Sequence, residues 1–119
     1  MEGKVFSKSL TKTDINHRLC IPTNSLPMFP PFAEGSNIQS LIVHDMEEAG
    51  IVLNLRFYVR PNGHPKPVLA GDWVQFVRRK GLKIGDEVEL FSVKRVSKLE
   101  FAFYLVLMEF PTYSGFRIV

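Results

Sequence analysis

The chain has 119 residues, 45% hydrophobic and 23% charged, which suits one domain with a real core, leaves no room for two, and argues against disorder over most of its length. The single cysteine, Cys20, excludes an internal disulfide and a cysteine-based zinc site; no run approaches the roughly 20 apolar residues of a membrane helix, and no apolar segment follows Met1-Glu2-Gly3-Lys4 as a signal peptide requires. The formal charge of +3 leans weakly towards polyanionic partners.

Val5–Leu10 is predicted as a first strand. Thr11–Asp14 carries cap and turn residues, which predicts a helical turn or loop with Asp14 as its cap. Arg18–Ile21 is a second short strand closed by Pro22, and the run Leu19-Cys20-Ile21 makes Cys20 a buried thiol. Four prolines between residues 22 and 37, namely Pro22, Pro27, Pro30 and Pro31, predict an irregular connection with one helical turn near Leu26–Phe29. Ile38–His44 is rich in β-branched residues and reads as a strand, with His44 at its rim, and Asp45–Gly50 as a hairpin turn.

Val52–Arg60 alternates with period two. Leu53, Leu55, Phe57 and Val59 share one face, and Asn54, Arg56, Tyr58 and Arg60 the other, the pattern of a half-buried strand. Pro61-Asn62-Gly63-His64-Pro65-Lys66-Pro67 is a loop, because its prolines cannot join a central ladder and Asn-Gly favours a turn. Asp72 is placed to cap a helix whose apolar stripe is Trp73, Phe76 and Val77, whose last turn holds Arg78, Arg79 and Lys80, and which stops at Gly81. Glu87–Val93 and Phe101–Met108 are two further strands; beyond Pro111 the chain reads as loosely packed or extended, with Phe116 and Ile118 open to one more strand. Six or seven short strands with short connections predict a largely antiparallel sheet, closed or nearly closed into a small barrel.

Charge is segregated along the chain. Between Arg56 and Lys83 lie seven cations (Arg56, Arg60, Lys66, Arg78, Arg79, Lys80, Lys83) and one acid, Asp72, a net +6. The acids collect at Asp45-Met46-Glu47-Glu48 and around Asp86, Glu87 and Glu89. On charge alone an ordinary solvated surface explains this as well as a polyanion-binding face does. The segment from Arg56 to Lys66 adds side chains that read base edges and phosphates: Arg56, Tyr58, Arg60, Asn62, His64 and Lys66. A strand-and-loop wedge of this width fits a major groove, which is about 12 Å across.

Two longer motifs then stand out. The first is Lys8-Ser9-Leu10-Thr11-Lys12-Thr13-Asp14-Ile15 followed by Arg18-Leu19-Cys20-Ile21-Pro22. The second runs Arg56, Tyr58, Lys66-Pro67-Val68-Leu69, Gly71, Trp73-Val74-Gln75-Phe76-Val77, Lys80-Gly81-Leu82 and Gly85-Asp86-Glu87-Val88. In order and spacing they resemble the plant B3 DNA-binding domain over roughly residues 5–108. The resemblance implies a mainly β, seven-stranded open barrel (a pseudobarrel), mostly antiparallel, with two short helices, in a single domain over 1–119 with 109–119 as a C-terminal extension. It implies a nuclear transcription regulator of plants that binds double-stranded DNA sequence-specifically in the major groove through two arms. Carried over by position, Lys8, Thr11, Lys12 and Arg18 fall in the first arm, and Tyr58, Arg60, Asn62, His64 and Lys66 in the second. The chain departs from the family in holding Leu53 and Leu55 where Trp and Phe are usual, and in a longer, more acidic turn at Asp45–Gly50.

No cofactor, membrane or small-molecule substrate is expected. His17, His44 and His64 lack metal-ligand spacing, and the acids lie away from the basic arms, which argues against a metal-dependent nuclease and against an enzyme generally. The alternative is a barrel of the same fold serving as a protein-interaction module, with weak or non-specific DNA binding.

Overall fold

The alternation at residues 52–58 is realised as a strand, with Leu53, Leu55 and Phe57 buried and Val52, Asn54, Arg56 and Tyr58 exposed. In a computed structural model, which describes residues 3–94 and 101–108, the elements are β1 (Gly3–Ser9), α1 (Lys12–Asn16), β2 (Leu19–Cys20), a 3-10 helix (Thr23–Met28), β3 (Ile38–Asp45), β4 (Val52–Tyr58), β5 (Val68–Gly71), α2 (Trp73–Lys80), β6 (Glu87–Lys94) and β7 (Phe101–Met108). The expected strand at Phe116 and Ile118 lies outside the described residues.

The strands form one sheet in the order β1-β6-β7-β3-β4-β5-β2. Every neighbouring pair is antiparallel except β3 and β7, which run parallel with Val43 opposite Phe103. The two edge strands of that order, β1 and β2, nevertheless meet: the Lys8 ammonium donates to the Cys20 carbonyl at 2.7 Å. The sheet therefore curls almost into a closed barrel, which hides edges that would otherwise invite pairing with other chains. β5 has no counterpart among the predicted strands. Val68–Ala70 is too short to display a period, and it becomes a strand because β4 lies on one side of it and β2 on the other.

The inward faces of β1, β3, β4, β6 and β7 supply the core together with Trp73, Phe76 and Val77 of α2. Leu19, Val43, Leu69, Trp73, Val88 and Leu90 are completely buried, and each such side chain stabilises the fold by roughly 1.5–3 kcal/mol. Aromatic volume comes from the proline-rich connection. Phe29 stacks on Phe57 with ring centroids 4.3 Å apart, and Phe32 stacks on the same ring at 5.1 Å. This fills the interior of a chain that carries only leucines at positions 53 and 55.

α2 stops where expected, at Gly81 in the left-handed region. Its start differs in detail. Asp72 occupies the cap position, but its carboxylate accepts the Asn54 amide at 2.9 Å and so ties the helix to β4. Gly71 is in the left-handed region with φ +78, and a Cβ there would lie 2.7 Å from the Asn54 carbonyl oxygen. Only glycine lets β5 pass this close to β4 before turning into the helix.

Candidate nucleic-acid interface

The first arm is built around Asp14, whose side chain is fully buried. Thr11 caps α1, and the capping box is complete: the Thr11 hydroxyl accepts the Asp14 amide, and Asp14 Oδ2 accepts the Thr11 amide at 2.8 Å and the Thr11 hydroxyl at 2.9 Å. Asp14 Oδ1 accepts the Cys20 amide at 3.0 Å and the Lys8 ammonium at 2.9 Å. The Asp14 carbonyl in turn accepts Trp73 Nε1 at 2.7 Å. One residue thus joins β1, α1, β2 and α2. Burial disfavours the ionised carboxylate, but the Cys20 and Thr11 amides, the Lys8 ammonium and the Thr11 hydroxyl outweigh it and hold the pKa below the ordinary aspartate value. The capping role expected for Asp14 is what the geometry gives.

The second arm is the excursion between β4 and β5. The Arg60 amide donates to the Pro65 carbonyl at 2.6 Å, closing the loop at its neck, and Gly63 takes a positive φ at the tip. Lys66, with φ 43, is the one non-glycine in the left-handed region among the described residues, a conformation that costs of order 1 kcal/mol and turns the chain back into β5.

The arms are fastened to each other. β2 pairs with β5, Cys20 lies opposite Val68, and the Ile21 amide donates to the Pro67 carbonyl at 2.9 Å. Between them lies an open groove of about 610 Å3 whose lining includes Arg18, Cys20, Tyr58, Arg60 and Lys66. Among the described residues, three cations face it and no acid lines it. Among the described residues no carboxylate lies within ion-pair range of Arg18, Arg60 or Lys66. Their charges remain available to an anion outside the protein.

Of the nine residues expected at the interface, four line this groove: Arg18, Tyr58, Arg60 and Lys66. Lys12 is exposed at the first position of α1, and Asn62 and His64 are exposed at the tip of the second arm, outside the groove lining. Lys8 and Thr11 point into the Asp14 network, so the structure gives them positioning contacts within the first arm. Cys20, by contrast, is half-buried and faces the groove, where a buried thiol was expected. The two-residue strand Leu19–Cys20 alternates, Leu19 inward and Cys20 outward, a signal too short to read without its partner β5.

In the other basic cluster, at the end of α2, Lys80 is spent inside the protein. Lys80 is almost entirely buried, with its ammonium 2.8 Å from Asp45 Oδ2, 2.7 Å from Glu47 and 2.9 Å from Glu48, and Arg79 pairs with Glu48 at 3.0 Å. Burial works against the charged lysine, yet these three acids raise its pKa above the ordinary lysine value. Burial likewise opposes ionised Asp45, which the Lys80 ammonium and the Glu47 amide hold below its usual pKa. The long acidic turn at Asp45–Gly50 is therefore the receptor for the C-terminal end of α2, and Lys80 is not left as a free phosphate contact.

Neither protein-family models nor curated protein sequences match this chain. Its structure does match solved ones. The Arabidopsis FUS3–DNA complex superposes with a TM-score of 0.65 at 17% identity, covering 87% of this chain and 96% of that one. The crystal structure of the Arabidopsis thaliana transcription factor LEC2–DNA complex superposes with a TM-score of 0.68 at 15% identity, covering 90% and 94%. At this identity the likeness is one of fold, and it is the open, curled, seven-stranded barrel that the B3 resemblance implies.

Proposed function

We propose that this chain is a B3-type DNA-binding domain that binds double-stranded DNA sequence-specifically in the major groove, as part of a nuclear transcription regulator. The observation that carries the reading is the groove between the two arms, where Arg18, Arg60 and Lys66 face solvent without acidic partners. Solved structures of the same fold are DNA complexes, which supports duplex DNA over other polyanions. In this reading Arg18, Lys12 and Lys66 contact phosphates and fix the register, and Arg60 and Asn62 reach base edges. Asp14, Lys8 and Thr11 hold the first arm in place without touching DNA.

The test begins with selection of bound duplexes from a random pool, followed by affinity measurements against salt. The three phosphate contacts give a log–log slope of about −2.7. Arg60→Ala is expected to weaken the selected site by about tenfold or more while leaving a scrambled duplex nearly unchanged. Lys66→Ala is expected to weaken both alike and to flatten the slope by about one unit. No enriched sequence together with a flat salt response would refute the proposal and favour a protein-interaction barrel.

A further inference from the structure

On the solvent face of β6 and β7, the stretch beyond Glu89 turns apolar side chains outward where an antiparallel sheet ordinarily turns polar ones to water. Phe91, Val93, Tyr104 and Val106, joined by Met46 beyond the end of β3, line a shallow groove of about 520 Å3. Met46 is 57% exposed and Val93 47%. His44 stacks on Tyr104 at 5.0 Å and borders the patch. Among the described residues, none that line the groove is charged.

The segment that leaves β7 has the matching chemistry. Residues 109–119 contain Phe110, Pro111, Tyr113, Phe116, Ile118 and Val119 against one acid, Glu109, and one base, Arg117. β7 delivers this segment beside the patch, because Val106 lines the groove and Met108 ends the strand. From Met108 back to Tyr104 is about 13 Å along the strand, and eleven residues extend up to about 36 Å. Pro111 and Ser114-Gly115 are reversal residues at suitable places. A second copy of the chain is a poorer match, since the five described side chains that line the groove fall far short of the roughly 20–30 residues a side of a stable interface.

We propose that residues 109–119 fold back over the outer face of β6 and β7 and seat their aromatic and aliphatic side chains in the groove lined by Met46, Phe91, Val93, Tyr104 and Val106. The segment is then an intramolecular cover for this face, whose described lining shares no residue with the basic groove. The test uses the full chain carrying Cys20→Ser and Ser114→Cys, with a nitroxide on the new thiol and methyl NMR as the readout. The Met46, Val93 and Val106 methyl signals are expected to be quenched, and reduction of the nitroxide to restore them. Phe116→Ser with Ile118→Ser is expected to shift the docked-to-free ratio by about tenfold or more for each side chain and so relieve the quenching. Val93→Asp is expected to do the same from the other side of the contact. Quenching that persists unchanged in both variants reflects tethered proximity alone and overturns the proposal, as does its absence. Equal quenching in a mixture of isotope-labelled and separately spin-labelled chains also overturns it, with a second copy as the occupant.

Discussion

Replacing Asp14 by Asn tests whether one buried carboxylate organises the first arm. Four donors converge on its two oxygens: the Thr11 amide and hydroxyl on Oδ2, and the Cys20 amide and Lys8 ammonium on Oδ1. Asparagine offers one acceptor oxygen and one NH2 group. In its better orientation the oxygen keeps Cys20 and Lys8, and the NH2 faces the Thr11 amide, donor against donor. The Thr11 hydroxyl can rotate to accept, but the cap is broken, at about 1 kcal/mol. Lys8 loses its counter-charge. Removing one partner of a buried pair costs about 3–5 kcal/mol, and here the cost is less, because Lys8 is 20% exposed and keeps the Cys20 carbonyl. The sum is about 3–4 kcal/mol, or a fall in melting temperature of roughly 10–15 °C. Urea denaturation at pH 7 measures it, and Lys8→Met should cost less in the Asp14→Asn background than alone. The pH dependence has a definite sign. A folded-state pKa below the unfolded one means that Asp14 contributes its full stabilisation above the ordinary aspartate value and loses it as pH falls through the lowered one. Wild type should therefore lose more stability than Asp14→Asn on going from pH 7 to pH 3. A cost below about 1 kcal/mol, or identical acid sensitivity of the two proteins, would show that Asp14 does not organise the arm.

Two further substitutions probe the scaffold. Lys80→Met leaves Asp45 buried without its cation and is expected to cost about 2–4 kcal/mol at pH 7, with the exposed Glu47 and Glu48 contributing little. The cost should shrink at acidic pH as Asp45 protonates, whereas the wild-type contribution of Lys80 persists below the ordinary lysine value of 10.5 and is lost only as pH rises through its raised pKa; chemical denaturation at several pH values reads both. Gly71→Ala combines a positive φ with a Cβ 2.7 Å from the Asn54 oxygen and is expected to cost about 3 kcal/mol or more. Gly81→Ala, at φ +67 with open space around it, should cost about 1 kcal/mol, and thermal melts of the pair give the ranking.

Most strands were legible because burial on one side writes a period into the chain. Val52–Arg60 shows it plainly, and Leu53, Leu55 and Phe57 do point inward. The stripe of α2 was legible for the same reason at helical spacing, and its stop at Gly81 follows from backbone freedom. β5 was harder. Its four residues carry no period, and they become a strand because β4 and β2 each offer them a ladder.

The candidate site divides along the same line. Charge and loop chemistry are local properties, so the chain shows two basic segments and their cations directly, and the B3 resemblance is what implied that the two form a pair of arms. The sequence did not separate the free cations from the spent ones. Lys8 and Lys80 look like Arg18 and Lys66 in a list of residues, yet the first two lie against Asp14 and the acids of the 45–48 turn, while the second two face an open groove. The β-rich class, the position of α2 and the presence of two basic segments were all written locally in the chain, because each depends on neighbours within a few residues. Which charges face outward, and that the arms share one groove, was decided by the curl of the sheet. That curl brings β1 to β2 and seats α2 on the acidic turn, and ion pairing over such sequence distances leaves no local trace.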